Sequence, residues 1–288
     1  MEKKIILNGE LLKASSPYLY TNRAFRYGDG IFESIKIING KPISLEHHFH
    51  RISAGLEALK IQCDKTFTLK IISSLILKLL TQNGINKGGK VRFTAYRNGK
   101  GTYMPENNNL SYLIEAEDHP INYYELNNDG LFVDVYKEIY KPSNNISKFK
   151  TLNGLLYVLA SEFAKDKKLD DSLILNELGK IIETTSSNVF IVSNGVLYTP
   201  PLNDGCVGGI MRMMVINTAL SNNITVYENS LTPQNLLNAD EVFLTNSIVG
   251  LKWIRGFQHK RYYNKTSKKI ISLINDYLIN YEKDLKGN

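Results

Sequence analysis

The sequence predicts a mixed α/β protein built from two domains. Segments of strand-type composition meet at Asn39-Gly40 and Asn194-Gly195, and such Asn-Gly pairs are strong hairpin signals. Other segments space their apolar residues as one face of a helix does. A polar stretch that contains Pro120 separates the two halves. We therefore expect an N-terminal domain over residues 1–120, a linker over 121–128 and a C-terminal domain over 129–288.

The residue pattern of the first half predicts both strands and helices. Strands are expected over residues 30–38, 90–97 and 110–117, with a return strand beginning at 41–44 after the first Asn-Gly turn. Helical spacing of apolar residues predicts helices over 46–59 and 69–82. Asn83-Gly84 then ends the second helix as a C-cap does.

The second half repeats this mixture. Strands are expected over residues 132–136, 188–192, 196–199, 225–227 and 241–245. Helices are expected over 210–221, from Thr232-Pro233 onward as a short capped helix, and over 267–282. The Gly208-Gly209 pair precedes the first of these helices, so glycines would let an anion approach backbone N–H groups that have no partner within the helix.

Composition excludes several classes of protein. A chain of 288 residues with 43% hydrophobic and 22% charged residues is an ordinary globular chain with enough apolar residues for a large core. Its first residues contain only a three-residue apolar run, and no stretch approaches membrane-spanning length, so we expect a cytoplasmic protein without a membrane partner. Cys63 and Cys206 are too few for a disulfide framework or a four-ligand zinc site.

A net charge of +7 would suit nucleic acid, but it more simply attracts small anionic substrates or reflects a lysine-rich composition without functional meaning. The lysines and arginines are scattered, and no basic run alternates with aromatic residues as it does in many nucleic-acid-binding proteins. Of the neighbouring His47, His48 and His50, the spacing puts His47 and His50 within one helical turn but supplies no third ligand of the usual type, so we expect no metal site.

The run from Glu183 to Arg212 is similar to the signature of the class IV pyridoxal 5'-phosphate (PLP) aminotransferases. The match includes Glu183, Asn188-Val189-Phe190, Thr199 and Gly209-Ile210-Met211-Arg212 at the spacings of the family. This family contains branched-chain and D-amino-acid aminotransferases and 4-amino-4-deoxychorismate lyase. The resemblance implies the two-domain fold-type IV architecture, with a smaller N-terminal α/β domain and a larger C-terminal pseudo-barrel.

Two patterns in the first half resemble the same family. Residues 23–33 look like its N-terminal block, in which a Tyr-Gly-Asp-Gly turn leads into a Phe-Glu strand. Leu45, His48 and Arg51 reproduce its Leu-x-x-His-x-x-Arg pattern. Within this pattern Arg51 is expected to bind the cofactor phosphate, because a guanidinium offers permanently charged, bidentate hydrogen bonds.

The resemblance also implies roles for residues of the second half. Glu183 would face the pyridine nitrogen of PLP and keep it protonated, since an opposite charge nearby favours the charged form. The N–H groups near Ile210 and Met211, after Gly209, would hold the phosphate. Asn188, Asn246 and Ser247 complete the expected cofactor-binding residues.

A PLP enzyme needs one lysine whose neutral amine forms a Schiff base with the cofactor aldehyde. Lys148 and Lys150 lie two residues apart, so on an extended segment both would point to the same side and periodicity does not choose between them. The family pattern Lys-x-Leu-Asn before a helix matches Lys150-Thr151-Leu152-Asn153. The resemblance therefore assigns the reactive amine, and the proton transfer at the substrate Cα, to Lys150.

The reaction predicted from the resemblance is the conversion of 4-amino-4-deoxychorismate to 4-aminobenzoate and pyruvate. Asn246-Ser247 and the Gly-Ile-Met-Arg form of the glycine turn look more like the lyase than like the transaminases. The alternative is amino-group transfer between a branched-chain or D-amino acid and a 2-keto acid. Trp253-Ile254 departs from the usual Pro-Val pair of the family and leaves the nearby substrate wall undefined.

Substrate contacts are expected from three residues of the first half. Tyr27 and Ser34 would line the substrate cavity by family analogy. Arg97, at the end of its strand, would either reach a substrate carboxylate or be a cation of the loop that follows. The expected substrate is a small anionic, amino-acid-like molecule. The resemblance further implies a homodimer in which loops of the partner close each active site.

Overall fold

A computed structural model describes residues 3–14, 22–119 and 123–287, with side chains of the last helix through Ile279. The chain divides into two compact units. The first comprises Met1–Tyr123 and Phe149–Asn153, and the second comprises Tyr124–Lys148 and Gly154–Asn288. The expected linker over 121–128 contributes its later residues to the second unit, and residues 121 and 122 lie outside the described part of the chain, as does Pro120.

The first unit is organised around a six-stranded antiparallel sheet in the order β2-β1-β6-β5-β3-β4. Its strands are β1 (Lys4–Leu7), β2 (Glu10–Lys13), β3 (Gly30–Ile38), β4 (Lys41–Pro42), β5 (Gly89–Arg97) and β6 (Leu110–Asp118). Its helices are α1 (Arg23–Tyr27), α2 (Leu45–Ala58) and α3 (Leu69–Gln82). Helix α2 packs on β3, and α3 packs on β1 and β6.

The two faces of strand β3 have different surroundings. Gly55 of α2 lies against Ile31, so the face that carries Ile31 and Glu33 is directed towards this helix. The opposite face carries Phe32 and Ser34, which are only half-buried. Because successive strand residues alternate between faces, one strand supplies both the core and an accessible polar surface.

The second unit contains a closed ring of strands. Its strands are β7 (Leu131–Lys141), β8 (Asp171–Asn176), β9 (Ile181–Thr184), β10 (Asn188–Ser193), β11 (Val196–Thr199), β12 (Val226–Glu228), β13 (Glu241–Asn246), β14 (Gly250–Phe257) and β15 (Lys260–Arg261). The order β10-β13-β14-β7-β8-β9 closes on itself because β9 also pairs with β10. Its core includes Val135, Leu173, Val189 and Leu244, so apolar side chains fill the sheet interior.

Four helices belong to this unit: α4 (Leu155–Asp166), α5 (Ile210–Ser221), α6 (Pro233–Asn238) and α7 (Lys265–Gly287). Helix α6 begins with the expected cap, in which Thr232 and Asn235 form a capping box. No helix within the described ranges is both long and apolar enough to cross a membrane.

Several predicted elements are confirmed residue by residue, among them β3, α3, β11 and α5. Two bounds differ. Strand β7 continues to Lys141 beyond the predicted 136, and the return strand after Asn39-Gly40 stops at Pro42, a residue without an N–H group to extend the ladder. Strand β8 was not predicted, because from Ser172 to Asn176 it is buried on both faces and shows no alternation.

Candidate active site

Lys150 is attached to the edge of β3 by backbone hydrogen bonds. The N–H of Phe32 donates to the Lys150 carbonyl over 2.8 Å, and the N–H of Leu152 donates to the Gly30 carbonyl over 3.0 Å. Strand β4 pairs only with the far end of β3, at residues 37 and 38, and therefore leaves this edge for residues 150–152. A side chain at Gly30 would meet the Ala95 carbonyl oxygen at 2.4 Å, so glycine is required for this close packing.

The Lys150 side chain lies beside a second cation. Its Nζ is 5.1 Å from the centre of the Phe32 ring, and the guanidinium carbon of Arg92 is 3.9 Å from the same centre. Arg92 lies on β5 directly opposite Ser34, and burial lowers its pKa. Lys148, by contrast, is exposed, whereas Lys150 is half-buried. The accessible face of β3 therefore combines an amine, a guanidinium and a hydroxyl.

Arg51 is held by a buried carboxylate on the helix-facing side of β3. Arg51 Nε donates to Glu33 Oε1 over 2.7 Å, and a second guanidinium nitrogen bonds Oε2. His48 Nδ1 lies 2.7 Å from the same Oε2. Burial raises the pKa of Glu33, but the Arg51 charge and the bonds from His48 and Arg51 outweigh it and lower this pKa to about 2.

His48 connects this cluster electrostatically with Lys150. Burial is the main cause that lowers the His48 pKa, and the charges of Arg51 and Lys150 act in the same direction. The Glu33 carboxylate opposes them by favouring the charged imidazole. Arg51, His48 and Lys150 thus belong to one neighbourhood of the first unit.

The three expected substrate residues have different surroundings. Arg97 is bound by Asp29, Asn108 and the carbonyls of Leu59 and Lys60, and it is buried. Tyr27 is half-buried, and its hydroxyl lies 3.4 Å from the Gly101 carbonyl. Ser34 is half-buried on the same face as Phe32. These contacts give Arg97 a structural role at the end of β5. Its role as a substrate residue stays a prediction.

In the second unit, Glu183 receives hydrogen bonds from three separate segments. Lys141 Nζ lies 2.6 Å from Oε1, the Tyr157 hydroxyl donates to Oε1 over 2.8 Å, and the Val207 N–H donates to Oε2 over 2.7 Å. Burial and the Glu183 charge raise the pKa of Tyr157, so it remains a neutral donor. The same two causes raise the pKa of the neighbouring Cys206 thiol to about 12.

The glycine turn follows directly after Val207, whose N–H donates to this carboxylate. Gly208 donates its N–H to the Lys148 carbonyl over 3.0 Å, and Gly209 is the N-cap of α5 without a side-chain cap. Asn188 Nδ2 donates to the Val207 carbonyl over 2.7 Å. A Cβ on Gly209 would lie 2.0 Å from Asn188 Oδ1, so only glycine fits between Asn188 and the first turn that contains Ile210 and Met211.

The turn between β13 and β14 is shaped by Asn246. Its Oδ1 accepts hydrogen bonds from the N–H groups of Ile248 and Val249, each over 3.0 Å, and its Nδ2 donates to Ser187 over 3.0 Å. The buried Tyr124 hydroxyl donates to the Ser247 carbonyl over 2.8 Å. This turn is therefore fixed by side chains from both sides before any ligand binds.

Trp253, which departs from the family pattern, is bonded to Asn127. Its backbone N–H donates to Asn127 Oδ1 over 2.9 Å, and its indole N–H donates to the Asn127 carbonyl over 2.8 Å. A proline here would lack the first of these donors. Trp253 therefore connects β14 with the segment that precedes β7.

Comparison with known proteins gives the family. The profile described as amino-transferase class IV matches residues 30–256. The chain belongs to the class IV aminotransferases. A D-alanine aminotransferase from Staphylococcus epidermidis is 30% identical over 250 residues, which cover 85% of each chain. A putative branched-chain-amino-acid aminotransferase from Methanocaldococcus jannaschii is also 30% identical, over 85% of this chain and 84% of that protein.

Solved structures share the fold of this class IV aminotransferase. A branched-chain aminotransferase from Thermoproteus uzoniensis superposes with a TM-score of 0.87 at 24% identity, over 95% of this chain and 94% of that one. The PLP form of a branched-chain amino acid aminotransferase from Thermobaculum terrenum gives 0.86 at 21%, over 96% and 94%. A putative 4-amino-4-deoxychorismate lyase from Legionella pneumophila gives 0.81 at 23%, over 92% and 96%. The predicted fold-type IV architecture is confirmed.

The described residues fit a phosphorylated pyridine cofactor. Glu183 Oε2 has one donor, from Val207, and retains capacity for another. Gly209 leaves space beside the uncapped first turn of α5, whose N–H groups suit a phosphate. Within the described ranges, no group of His, Cys, Asp and Glu side chains could hold a metal ion.

Sequence reasoning missed Arg92, Lys141 and Tyr157. Arg92 could have been found from strand pairing, because it lies opposite the expected substrate residue Ser34. Lys141 and Tyr157 are 42 and 26 residues from Glu183, and no local pattern connects them with it.

Proposed function

We propose that this protein is a PLP-dependent aminotransferase that moves an amino group between an amino acid and a 2-keto acid. The relatives that share about 30% of its sequence across most of both chains carry aminotransferase names, with D-alanine or branched-chain amino acids as substrates. This support favours transfer over the lyase reaction that the Asn246-Ser247 pair predicted. PLP is the expected cofactor, because a structure of the same fold contains it.

The attachment of Lys150 to β3 is the observation that carries this proposal. Two backbone hydrogen bonds fix the segment, so the amine is placed by the sheet and not by a free loop. A reactive lysine must be held in this way to meet its reaction partner repeatedly in one geometry. Lys148 lies in the preceding turn and is exposed, which supports Lys150 as the residue that binds the cofactor covalently.

When bound, PLP supplies an electron-withdrawing ring that stabilises negative charge at the substrate Cα. Lys150 would remove and return the proton at that carbon as general base and acid. Glu183 would hold a proton on the ring nitrogen. Arg51, fixed by Glu33, and the N–H groups of Ile210 and Met211 would bind the phosphate dianion, with Asn188, Gly209, Asn246 and Ser247 shaping the surrounding turns.

Arg92 is the best-placed residue for a substrate carboxylate. It shares the Phe32 ring with Lys150, and a guanidinium binds a carboxylate through two parallel hydrogen bonds. Ser34 and Tyr27 remain proposed substrate residues of the same unit. Arg97 is bound to Asp29, Asn108 and two carbonyls, and this supports Arg92 ahead of Arg97.

We also propose a homodimer, on the basis of an apolar stripe on α4. Leu155 is 69% exposed, and Val158 and Leu159 follow on the same face at 57% and 39%. Exposed apolar residues in a continuous patch are typical of an interface. Light scattering at micromolar concentration should give twice the chain mass, and Val158→Glu should reduce it to that of one chain. A cytoplasmic location stays a prediction.

The lyase remains the second candidate. Asn246-Ser247 and Met211 favour it by resemblance, and the putative lyase from Legionella pneumophila has the same fold. Incubation of purified protein with D-alanine, L-leucine or aminodeoxychorismate separates the two. Transfer from an amino acid to a 2-keto acid supports the aminotransferase, whereas release of pyruvate and 4-aminobenzoate from aminodeoxychorismate without such transfer supports the lyase.

The covalent assignment is tested by borohydride reduction. Protein loaded with PLP is reduced and digested, and the modified peptide is identified by mass spectrometry. We expect the label on Lys150, no label in Lys150→Ala, and normal labelling in the matched variant Lys148→Ala. Reduced PLP on the Lys150→Ala chain, or its loss in Lys148→Ala, would contradict the assignment.

A further inference from the structure

Lys141 is a buried lysine at the end of β7 for which sequence analysis gave no role. Its side chain is 10% exposed, and that of its partner Glu183 is 4% exposed. Its Nζ donates to Glu183 Oε1 over 2.6 Å and to the Ser147 carbonyl over 3.0 Å. It also lies 5.8 Å from the Tyr157 ring centre. A buried lysine is rare, and this one is directed at the carboxylate that the proposed function uses.

The two oxygens of Glu183 are occupied unequally. Among the described residues, Oε1 accepts from both Lys141 and Tyr157, whereas Oε2 accepts from the Val207 N–H alone. Each carboxylate oxygen has about two acceptor positions. Oε1 is therefore filled by the protein, and Oε2 retains a position for one further N–H donor.

Lys141 also places a positive charge in contact with the Glu183 carboxylate. An isolated carboxylate away from water takes up a proton, because desolvation penalises the charged form, and a cation in contact reverses this preference. A protonated Glu183 would present a neutral acid to a ring nitrogen and would no longer favour the protonated ring. A cation in contact with Glu183 can therefore act on the carboxylate without touching the cofactor.

We propose that Lys141 is a positioning residue for Glu183: its ammonium group occupies Oε1 and supplies the counter-charge of the carboxylate, so that Oε2 is offered to the ring nitrogen of the cofactor. The inference rests on the proposed function of Glu183. Tyr157 assists as a second donor to Oε1, and the Val207 N–H fixes the direction of Oε2.

The test uses PLP labelled with ¹⁵N in the ring, because the nitrogen chemical shift reports directly whether this atom is protonated. In the wild-type protein we expect the protonated signal at neutral pH. Lys141→Met should shift it to the unprotonated position and weaken PLP binding roughly tenfold, the loss of one charged hydrogen bond. Lys141→Arg, which keeps the charge, should retain the wild-type signal.

Lys165→Met is the matched control, since Lys165 forms an exposed ion pair with Glu162 on α4. It should leave both the nitrogen signal and PLP affinity unchanged. If Lys141→Met does not fold, Lys141→Gln provides a neutral donor at the same position and carries the same test. An unchanged nitrogen signal in the neutral variant would overturn the inference.

The two proposals fail in different ways. If the wild-type protein binds no PLP and borohydride labels no lysine, the proposed function itself is wrong. If the wild-type protein binds PLP through Lys150 with a protonated ring nitrogen, and the neutral Lys141 variant behaves identically, only the role of Lys141 is wrong.

Discussion

Two buried glutamates of similar exposure are held in different ways in the two units. Glu33 is bonded by His48 and Arg51, which lie three residues apart on the single helix α2. Glu183 is bonded by Lys141, Tyr157 and the backbone of Val207, which belong to three separate segments. The comparison indicates that Glu33 serves to hold a cation, whereas Glu183 is itself held in place and keeps an acceptor position available.

Among the changes that distinguish Glu183 from Glu33, we expect the largest effect from Glu183→Gln, which should lose activity. The amide cannot supply the negative charge, so we expect kcat to fall by about 10²–10³-fold, the usual cost of one preorganised electrostatic group. Steady-state rates of amino-group transfer measure this. Glu177→Gln, an exposed residue of the same unit, should retain wild-type kcat. Equal losses in both variants would remove any special role for Glu183.

Glu33→Gln should act mainly on stability. It leaves the Arg51 guanidinium in a buried site without its counter-charge, and breaking a buried pair costs about 3 kcal/mol or more. Urea unfolding of the cofactor-free protein gives the free energy of unfolding. Glu117→Gln breaks the exposed pair with Lys90 and should cost less than about 1 kcal/mol. A comparable small cost for Glu33→Gln would mean that the buried pair contributes little.

Glu241 extends the comparison to a buried carboxylate whose hydrogen-bond donors are not cations. It accepts bonds from the N–H and hydroxyl groups of Thr266 and Ser267 in the first turn of α7. Removing such a cap costs about 1–2 kcal/mol, so Glu241→Ala should lower the free energy of unfolding by that amount. Glu241→Gln keeps an acceptor and should lose less. Equal losses would assign the effect to the complete carboxylate and not to one retained acceptor or to side-chain packing.

The smallest effect is a pH dependence specific to Glu33. Its pKa is about 2 in the folded protein and 4.5 as the ordinary value, so its stabilising contribution is complete above 4.5 and disappears as the pH falls towards 2. By pH 3.5 about 1 kcal/mol of it should be lost. The difference in unfolding free energy between wild-type and Glu33→Gln protein should therefore shrink from pH 7 to pH 3.5. A constant difference would contradict the lowered pKa.

The sequence by itself determined the features that depend on neighbouring residues. The Asn-Gly turns predicted both hairpins, helical spacing predicted α3 and α5, and the family patterns indicated the class that the comparisons confirmed. His48 and Arg51 lie about one helical turn apart, so a helix over this segment places both on one face. Such features are local, and their physical cause is the periodicity of a helix or the backbone freedom of a turn.

The tertiary structure decided what depends on distant segments. Closure of the second sheet needs β9 to pair with β10, and Arg92 joins Lys150 only because β5 and residues 150–152 lie on either side of β3. Lys141 and Tyr157 reach Glu183 from 42 and 26 residues away. Buried charges must find partners wherever the fold brings them, since an unpaired charge in the interior is too costly. The spacing of residues along the sequence does not show which charged groups pair, because the pairs form only when the folded chain brings distant segments together.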